Sequence, residues 1–397
     1  MSTPRDFEPG RYRDKFPILS HTNYLISNSL GAVPVATRDA LLDYYETWAN
    51  RGVRAWEEGW WTLAADVGNL VAPLIGALPG EVVFLPNVTL AHAVVLSALG
   101  YQPGRDALVT DALHFPSILY LVDAQRDLGA RVVTVPSDDG IGVDPARTRD
   151  AVTPDTVAVL ISHVLFKSAF IQDVAAVAER ARAVGALVVV DGYQAVGTIP
   201  VDVHALGADI YIGGCLKWLC GGPGNAFLWA RPDLALAPKI RGWAGHARPF
   251  DFNPRFDPRT DAWRFLQGTP AIPALHAARP GLELLNAVGI DAIRAHSTRQ
   301  TTRLLDHARA RGFTCRTPDD PARRGGTVAL DVPHGYAVSK ALKARDILCD
   351  FRPNAGIRLS PHFYNLDDEL DAALDAVDDI LRNQSWRPFE STAAAVT

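Results

Sequence analysis

Lysine is the scarce cation of this 397-residue sequence: of 39 basic residues only six are lysine (Lys15, Lys167, Lys217, Lys239, Lys340 and Lys343), and the other 33 are arginine. A lysine in a constrained setting therefore stands out. Cysteine is scarce as well. The four thiols, Cys215, Cys220, Cys315 and Cys349, form no CxxC pair and no matching spacing with histidine, which excludes a zinc motif and a disulfide framework, so no metal is expected. Basic charge is not in excess: a net charge of −5 and a pI near 6.1 leave no electrostatic footprint for nucleic acid. No apolar run approaches the ~18 residues of a membrane span, and Met1–Asp14 has no apolar leader core. The expectation is a cytoplasmic protein without membrane or nucleic-acid partners.

What is present is a composition for burial, 48% hydrophobic and 21% charged, on a chain long enough for a large core. Between about residues 80 and 230, short β-branched runs alternate with amphipathic stretches. Seven strands are expected, at 81–85, 107–110, 131–135, 156–162, 187–191, 209–213 and 225–230. Helical periodicity lies between them at 89–99, 115–128, 144–151 and 173–184. Such alternation predicts an α/β fold whose mainly parallel seven-stranded sheet is covered on both faces, with ligand groups at the carboxyl ends of the strands. A helix is expected at 38–50, and one long helix or two in series at 276–312. Beyond these come strands near 327–332, 347–351 and 357–359, and helices around 337–344 and 367–382. These breaks divide the chain into an N-terminal arm and helix (1–50), a large domain (51–275) and a long helix with a smaller α+β C-terminal domain (276–397). Residues 247–258, rich in proline and aromatics, read as a long ordered loop, and Ser391–Thr397 as a frayed tail.

Chemistry concentrates between residues 187 and 224. The apolar run LVVV ends in Asp191, which places a carboxylate at a strand's carboxyl end, and DIYIGG leads into Lys217, followed by the tight turn Gly221-Gly-Pro-Gly224. A buried lysine is costly unless it is paired or covalently engaged. An amine in such a site can form a Schiff base with an aldehyde cofactor, and pyridoxal 5′-phosphate (PLP) needs that lysine together with a carboxylate beside its pyridinium nitrogen. Taken singly, Asp191 also reads as a turn cap and Lys217 as a snorkelling surface amine.

The order of these pieces resembles the fold-type I PLP enzymes of the class V aminotransferase group, and within it the kynureninases. Further matching pieces are Asn28-Ser-Leu-Gly-Ala-Val-Pro34, Asn87-Val-Thr89, Phe115-Pro-Ser117, Gly242-Trp-Ala-Gly-His246, Gly268-Thr-Pro270 and the run from Cys349 to Asn365. The resemblance covers about residues 20–385. It implies that Lys217 holds PLP, that Asp191 pairs with the ring nitrogen, that Gln194 contacts the phenolic oxygen and that Phe115 stacks on the ring. It further implies that Val88 and Thr89, opening a helix, receive the phosphate, joined by Thr269 from the neighbouring subunit of a homodimer with shared sites. Arg358 would clamp the α-carboxylate of an amino-acid substrate. Asn28, Ser29, Trp243 and His246 would border the side-chain pocket.

Three positions depart from the family pattern. Kynureninases carry Tyr immediately before the cofactor lysine, where Leu216 offers neither a proton nor a hydrogen bond. Gln194 replaces a His, and Ile118 stands where Asp is usual. The resemblance thus implies a PLP enzyme acting on an L-amino acid or amino-acid conjugate, with kynureninase-like cleavage at the β-carbon ranked ahead of transamination. A PLP-fold protein devoted to binding is the reading from another class, and the joint retention of Lys217, Asp191 and Arg358 argues against it. A cysteine desulfurase needs a thiol on a mobile loop, whereas Cys349 sits in an apolar strand pattern.

Overall fold

The computed structural model describes residues 7–390; the tail expected to fray lies outside the described residues. A two-residue strand, β1 (Asn23–Tyr24), precedes a seven-stranded sheet made of β2 (Val82–Leu85), β3 (Ala107–Asp111), β4 (Arg131–Val135), β5 (Thr156–Ser162), β6 (Leu187–Asp191), β7 (Ile210–Gly214) and β8 (Ala226–Ala230), in spatial order β2-β8-β7-β6-β5-β3-β4. β8 runs antiparallel to both of its neighbours, and the remaining pairs are parallel. The fold is the α/β, mainly parallel seven-stranded architecture expected. All seven predicted strands are present, each within one residue at either end; six are buried runs that read as apolar stretches, and the partly exposed edge strand β4 is marked by its β-branched residues.

The period-two alternation of the strands splits the core into two layers. Val188, Val190 and Tyr211 point to one side, where they meet Leu63 and Val67 of the helix Trp60–Val71, Val177 of Val174–Ala183 and Leu282 of Ile272–Val288. Val189, Ile210 and Ile212 point to the other, against Val94 of Val88–Leu96 and Val122 of Pro116–Ala124. With both faces sealed, the carboxyl edge of the sheet is where side chains of β5 and β6 can reach a ligand. Ser162 and Asp191 stand opposite each other in register at that edge.

The C-terminal sheet, β9 (Thr314–Cys315), β10 (Val328–Asp331), β12 (Asp350–Arg352) and β13 (Gly356–Leu359), is antiparallel in the order β12-β13-β10-β9, while β11 (Ile347–Leu348) pairs instead with β1. The segment predicted as one strand at 347–351 is therefore two, divided at Cys349. Residues 272–310 form two helices, Ile272–Val288 and Ile290–Ala310, separated at Gly289 with φ 86°. The helix Trp60–Val71 is an element for which the sequence reading had no counterpart. Its buried positions 60, 63, 64, 67, 68 and 71 follow helical spacing. Among the described residues no helix is long and apolar enough to cross a membrane.

Parallel pairing of β1 with β11 and the bridge from Ile26 to Ser360 carry the N-terminal segment along the C-terminal sheet and onto the lysine loop. There the Gly31 N–H donates to the Leu216 carbonyl at 2.9 Å. A Cβ on Gly31 would collide with the Lys217 carbonyl oxygen and lie 2.9 Å from Cys220 Cα, so backbone meets backbone at this crossing. Gly31→Ala should cost about 1–3 kcal/mol through overpacking, measured by denaturant unfolding. A variant as stable as the wild type would show that the crossing is not tightly held.

Candidate functional site

β6 ends in Asp191, which is buried; its Oδ1 accepts the Tyr193 N–H at 2.8 Å and its carbonyl accepts the His163 N–H at 2.8 Å. The next strand, β7, ends in Gly214 and turns through Cys215 and Leu216 into Lys217. That turn is closed by the Cys220 N–H on the Lys217 carbonyl and the Gly221 N–H on the Cys215 carbonyl. Neighbouring parallel strands thus deliver a carboxylate and an amine to the walls of one cavity of about 300 Å³, the lower end of the range for small-molecule sites.

Lys217 Nζ lies 4.2 Å from the centroid of the Tyr193 ring and 5.7 Å from that of Phe115. Burial is the main influence on this amine and lowers its pKa to about 7; Asp191 opposes that shift, and the charge of Arg358 adds to it. Phe115 lines the cavity with 42% of its surface exposed, a large aromatic left open at a cavity wall. Its ring meets Phe166 edge-on, with 5.1 Å between centroids.

The nine-residue helix Val88–Leu96 opens on the cavity. Its N-cap, Asn87, accepts the Leu90 N–H at 2.9 Å, and the Ala91 N–H goes to the Asn87 carbonyl, so those of Val88 and Thr89 have no acceptor among the described residues. Gln194 is fixed from both ends. Its Nε2 donates to the Asn28 carbonyl at 3.0 Å and its Oε1 accepts from Trp218 Nε1 at 2.9 Å, which leaves one amide hydrogen free. Asn28 is 1% exposed, and its side-chain nitrogen and oxygen both lack partners. Beneath the helix, buried His92 donates from Nδ1 to the Val88 carbonyl; burial lowers its pKa, with Asp191 the opposing charge.

The opposite wall belongs to the C-terminal sheet. Arg358, 2% exposed, engages Asp350 through Nε (2.7 Å) and Nη2 (2.5 Å) and the Phe166 carbonyl through Nη1. Of five guanidinium N–H donors, three are engaged, leaving one on each terminal nitrogen. Arg352 reaches the same Asp350 at 3.1 Å. Two guanidiniums around one carboxylate leave this wall with a net positive charge.

Of the residues singled out in the sequence, Asn28, Ser29, Val88, Thr89 and Phe115 line this cavity together with Asp191, Gln194, Lys217 and Arg358. Trp243 and Thr269 do not. They line a separate, aromatic cavity of about 840 Å³ with Trp56, Trp61 and Phe250. His246 is buried and spends both ring nitrogens inside its own loop, on the Arg248 N–H at 2.9 Å and the Arg255 carbonyl at 3.3 Å. Sequence reasoning passed over Tyr193, Phe166 and Arg352. Tyr193 lay in plain view two residues after Asp191, and Arg352 lay within the matched run after Cys349; Phe166 gave no signal.

An amine near neutrality beside a strand-end carboxylate, unclaimed helix N–H groups and a buried amide without partners fit a small anionic carbonyl compound, and PLP is one. The description of the family matched by residues 23–350 is aminotransferase class-V. Curated relatives include kynureninase of Pseudomonas fluorescens, 34% identical with 94% of this chain and 92% of the relative covered, and kynureninase of Burkholderia pseudomallei (strain 1106a), 32% identical with 100% and 98% covered. Among solved structures, an apo cysteine desulfurase from Thermococcus onnurineus NA1 superposes with a TM-score of 0.84 at 21% identity, covering 96% of this chain and 100% of that one. A lysine-to-alanine mutant of C-DES, with glycine covalently linked to the PLP cofactor, also has a TM-score of 0.84 at 21% identity, covering 92% and 99%. Those structural likenesses speak for the fold. The sequence matches, spanning nearly the whole chain, go further: this protein belongs to the class V aminotransferase family as a kynureninase-like, PLP-dependent enzyme.

Proposed function

We propose that Lys217 carries PLP and that the enzyme cleaves an L-amino acid bearing an acyl side chain at its β-carbon. The observation that carries this reading is the convergence on a single cavity of Asp191 from the end of β6, Lys217 from the turn after β7 and Arg358 from within β13. PLP bound there supplies the electron sink for charge left at Cα. Asp191 would set a carboxylate at the ring nitrogen, Gln194 would offer its free amide hydrogen, and the Val88 and Thr89 N–H groups would take the phosphate. Arg358 presents its two remaining N–H groups to the substrate carboxylate, backed by Asp350 and Arg352. With PLP bound, Lys217 would be the base that takes the substrate's Cα proton, and a pKa near 7 suits that task. Water then adds to the acyl carbon, and the Cβ–Cγ bond breaks. The acyl group leaves as a carboxylate, and Cβ keeps the electron pair and gains a proton.

Persulfide chemistry of the desulfurase kind lacks a nucleophile at this site: among the described residues no cysteine lines the Lys217 cavity. Burial pushes Cys349 up to about 12 and raises Cys215 and Cys220 well above the usual thiol range, so all three stay protonated. Transamination is the second reading, favoured by Leu216, which lines the cavity without a donor. Thr269 lies outside the Lys217 cavity of its own chain, which supports a homodimer in which it serves the site of the other subunit.

Three outcomes follow. A neutral amine is needed to condense with an aldehyde, and Lys217 is neutral above about pH 7, where a free lysine stays charged to about 10.4. PLP uptake by the apo-protein, followed by visible absorbance, should fall as pH drops below 7 and level off above it, and Lys217→Ala should give no lysine-linked chromophore. A rate still climbing tenfold per pH unit from 8 to 10 would sink the assignment. Incubation with L-kynurenine, related acyl amino acids and simple amino acids, read by mass spectrometry, should yield alanine plus the acid, with Arg358→Ala weakening substrate binding by about 2–5 kcal/mol. Accumulation of pyridoxamine phosphate without alanine would favour transamination instead. Finally, Thr269→Ala subunits mixed with Lys217→Ala subunits should regain activity that neither variant has alone; no recovery in a verified mixed dimer would remove the shared site.

A further inference from the structure

Gln194 can show the cavity either a donor or an acceptor, because its amide carries an oxygen on one side and an NH₂ on the other. The choice is made behind it. Trp218, 1% exposed, donates its indole N–H to Gln194 Oε1 at 2.9 Å, while Gln194 Nε2 donates to the Asn28 carbonyl at 3.0 Å. An indole nitrogen can only donate and a carbonyl can only accept. Turning the amide over would set donor against donor at Trp218 and acceptor against acceptor at Asn28, leaving each of these buried groups without a partner. Trp218 is itself held in place. Its carbonyl accepts from buried His362 Nε2 at 2.8 Å, and the His362 ring meets the indole edge-on with 5.4 Å between centroids. A Cβ on Gly326 would stand 2.9 Å from Trp218 Cη2, so the bare backbone there leaves room for the indole.

We propose that Trp218 is a positioning residue for the cofactor: its indole N–H fixes the Gln194 amide so that an Nε2 hydrogen, and not Oε1, faces the phenolic oxygen of PLP. With PLP on Lys217, the reading on which this rests, Trp218 acts through Gln194 alone, for it does not line the cavity itself. The phenolic oxygen carries negative charge, and a donor aimed at it makes a charge-assisted bond. The chromophore that PLP forms with a lysine has one titratable proton. Losing it leaves more negative charge on that oxygen, so a donor there lowers the pH at which the proton leaves, and an acceptor there would raise it. An amide does not titrate as a histidine does, so the donor that Trp218 sets in place persists at every working pH.

Trp218→Phe keeps an aromatic ring in the slot and removes the indole N–H. Loaded with PLP and titrated by visible absorbance, its chromophore should lose its proton about one pH unit higher than that of the wild type. Gln194→Ala should shift the midpoint upward by at least as much, and the double variant should match Gln194→Ala, since nothing is left for Trp218 to act through. A Trp218→Phe midpoint equal to the wild type's overturns the inference, as does a double variant whose shift adds the two single ones. Should Trp218→Phe not fold, neutron diffraction from crystals of the wild-type apo-protein reads the same point directly: deuterium on the indole nitrogen facing Gln194 Oε1, with the amide ND₂ toward the cavity, supports the assignment, and the reverse amide orientation overturns it. A wild type that forms no lysine-linked band with PLP would defeat the cofactor reading first, and the role of Trp218 with it.

Discussion

Keeping a lysine amine out of water is the constraint around which this protein is organised. Desolvating an ammonium is expensive, and the fold sets Lys217 where that cost lowers its pKa to about 7. Two sealed core layers leave the carboxyl edge of the parallel sheet as the place where polar side chains can gather. Asp191 gains its position by ending a strand of four valine and leucine residues, and Lys217 gains its own by following the glycine pair 213–214 out of the adjacent strand. Asp191 is set by the ladder that pairs it with Ile212, and Lys217 by the short turn after β7 that the Cys220 and Gly221 N–H groups close.

A second carboxylate organises the far wall. Asp350 is wholly buried and receives Arg358 and Arg352 together. Removing it would leave two guanidiniums without their counter-charge, and breaking such a pair is far costlier than never having built it. Because Asp350 occupies Nε and Nη2 and the Phe166 carbonyl occupies Nη1, one N–H remains on each terminal nitrogen of Arg358. Burial is the main reason the lysine pKa is low, and the charges of Arg358 and Arg352 add to it while Asp350 opposes them.

Much of this was legible in the sequence where local pattern and tertiary position coincide. Lys217 and Asp191 could be found because each terminates an apolar run, and a run buried on both faces announces its own end. Arg358 could be found as a residue, but its partner could not: the pairing of Asp350 with Arg358 is a matter of register between β12 and β13, and a slip of one residue would turn Asp350 to the other face. Phe166 reaches the cavity only because the loop after β5 crosses toward β13, a tertiary event with no local signature. The helix Trp60–Val71 had the right spacing, yet its polar positions and the aromatic pair at its start blurred the stripe. Thr269, Trp243 and His246 matched as motifs and still fell outside the Lys217 cavity, since a motif fixes neighbours in sequence and not the cavity they share.

The imbalance between arginine and lysine now has a physical reading. Arginine stays charged under all ordinary conditions and bonds through a rigid fork, which suits the places where this chain needs a fixed cation. Arg324, 1% exposed, binds two carbonyls and two threonine hydroxyls, and Arg303 and Arg311 pair with Asp371 and Asp375 between two C-terminal helices. None of those positions calls for a group that gives up its proton. In the proposed role Lys217 does, because a base and a nucleophile must be neutral part of the time, and of the two cations only the ammonium is brought there by burial. Replacing it with arginine would keep the charge and the length while removing the one property the cavity was built to elicit.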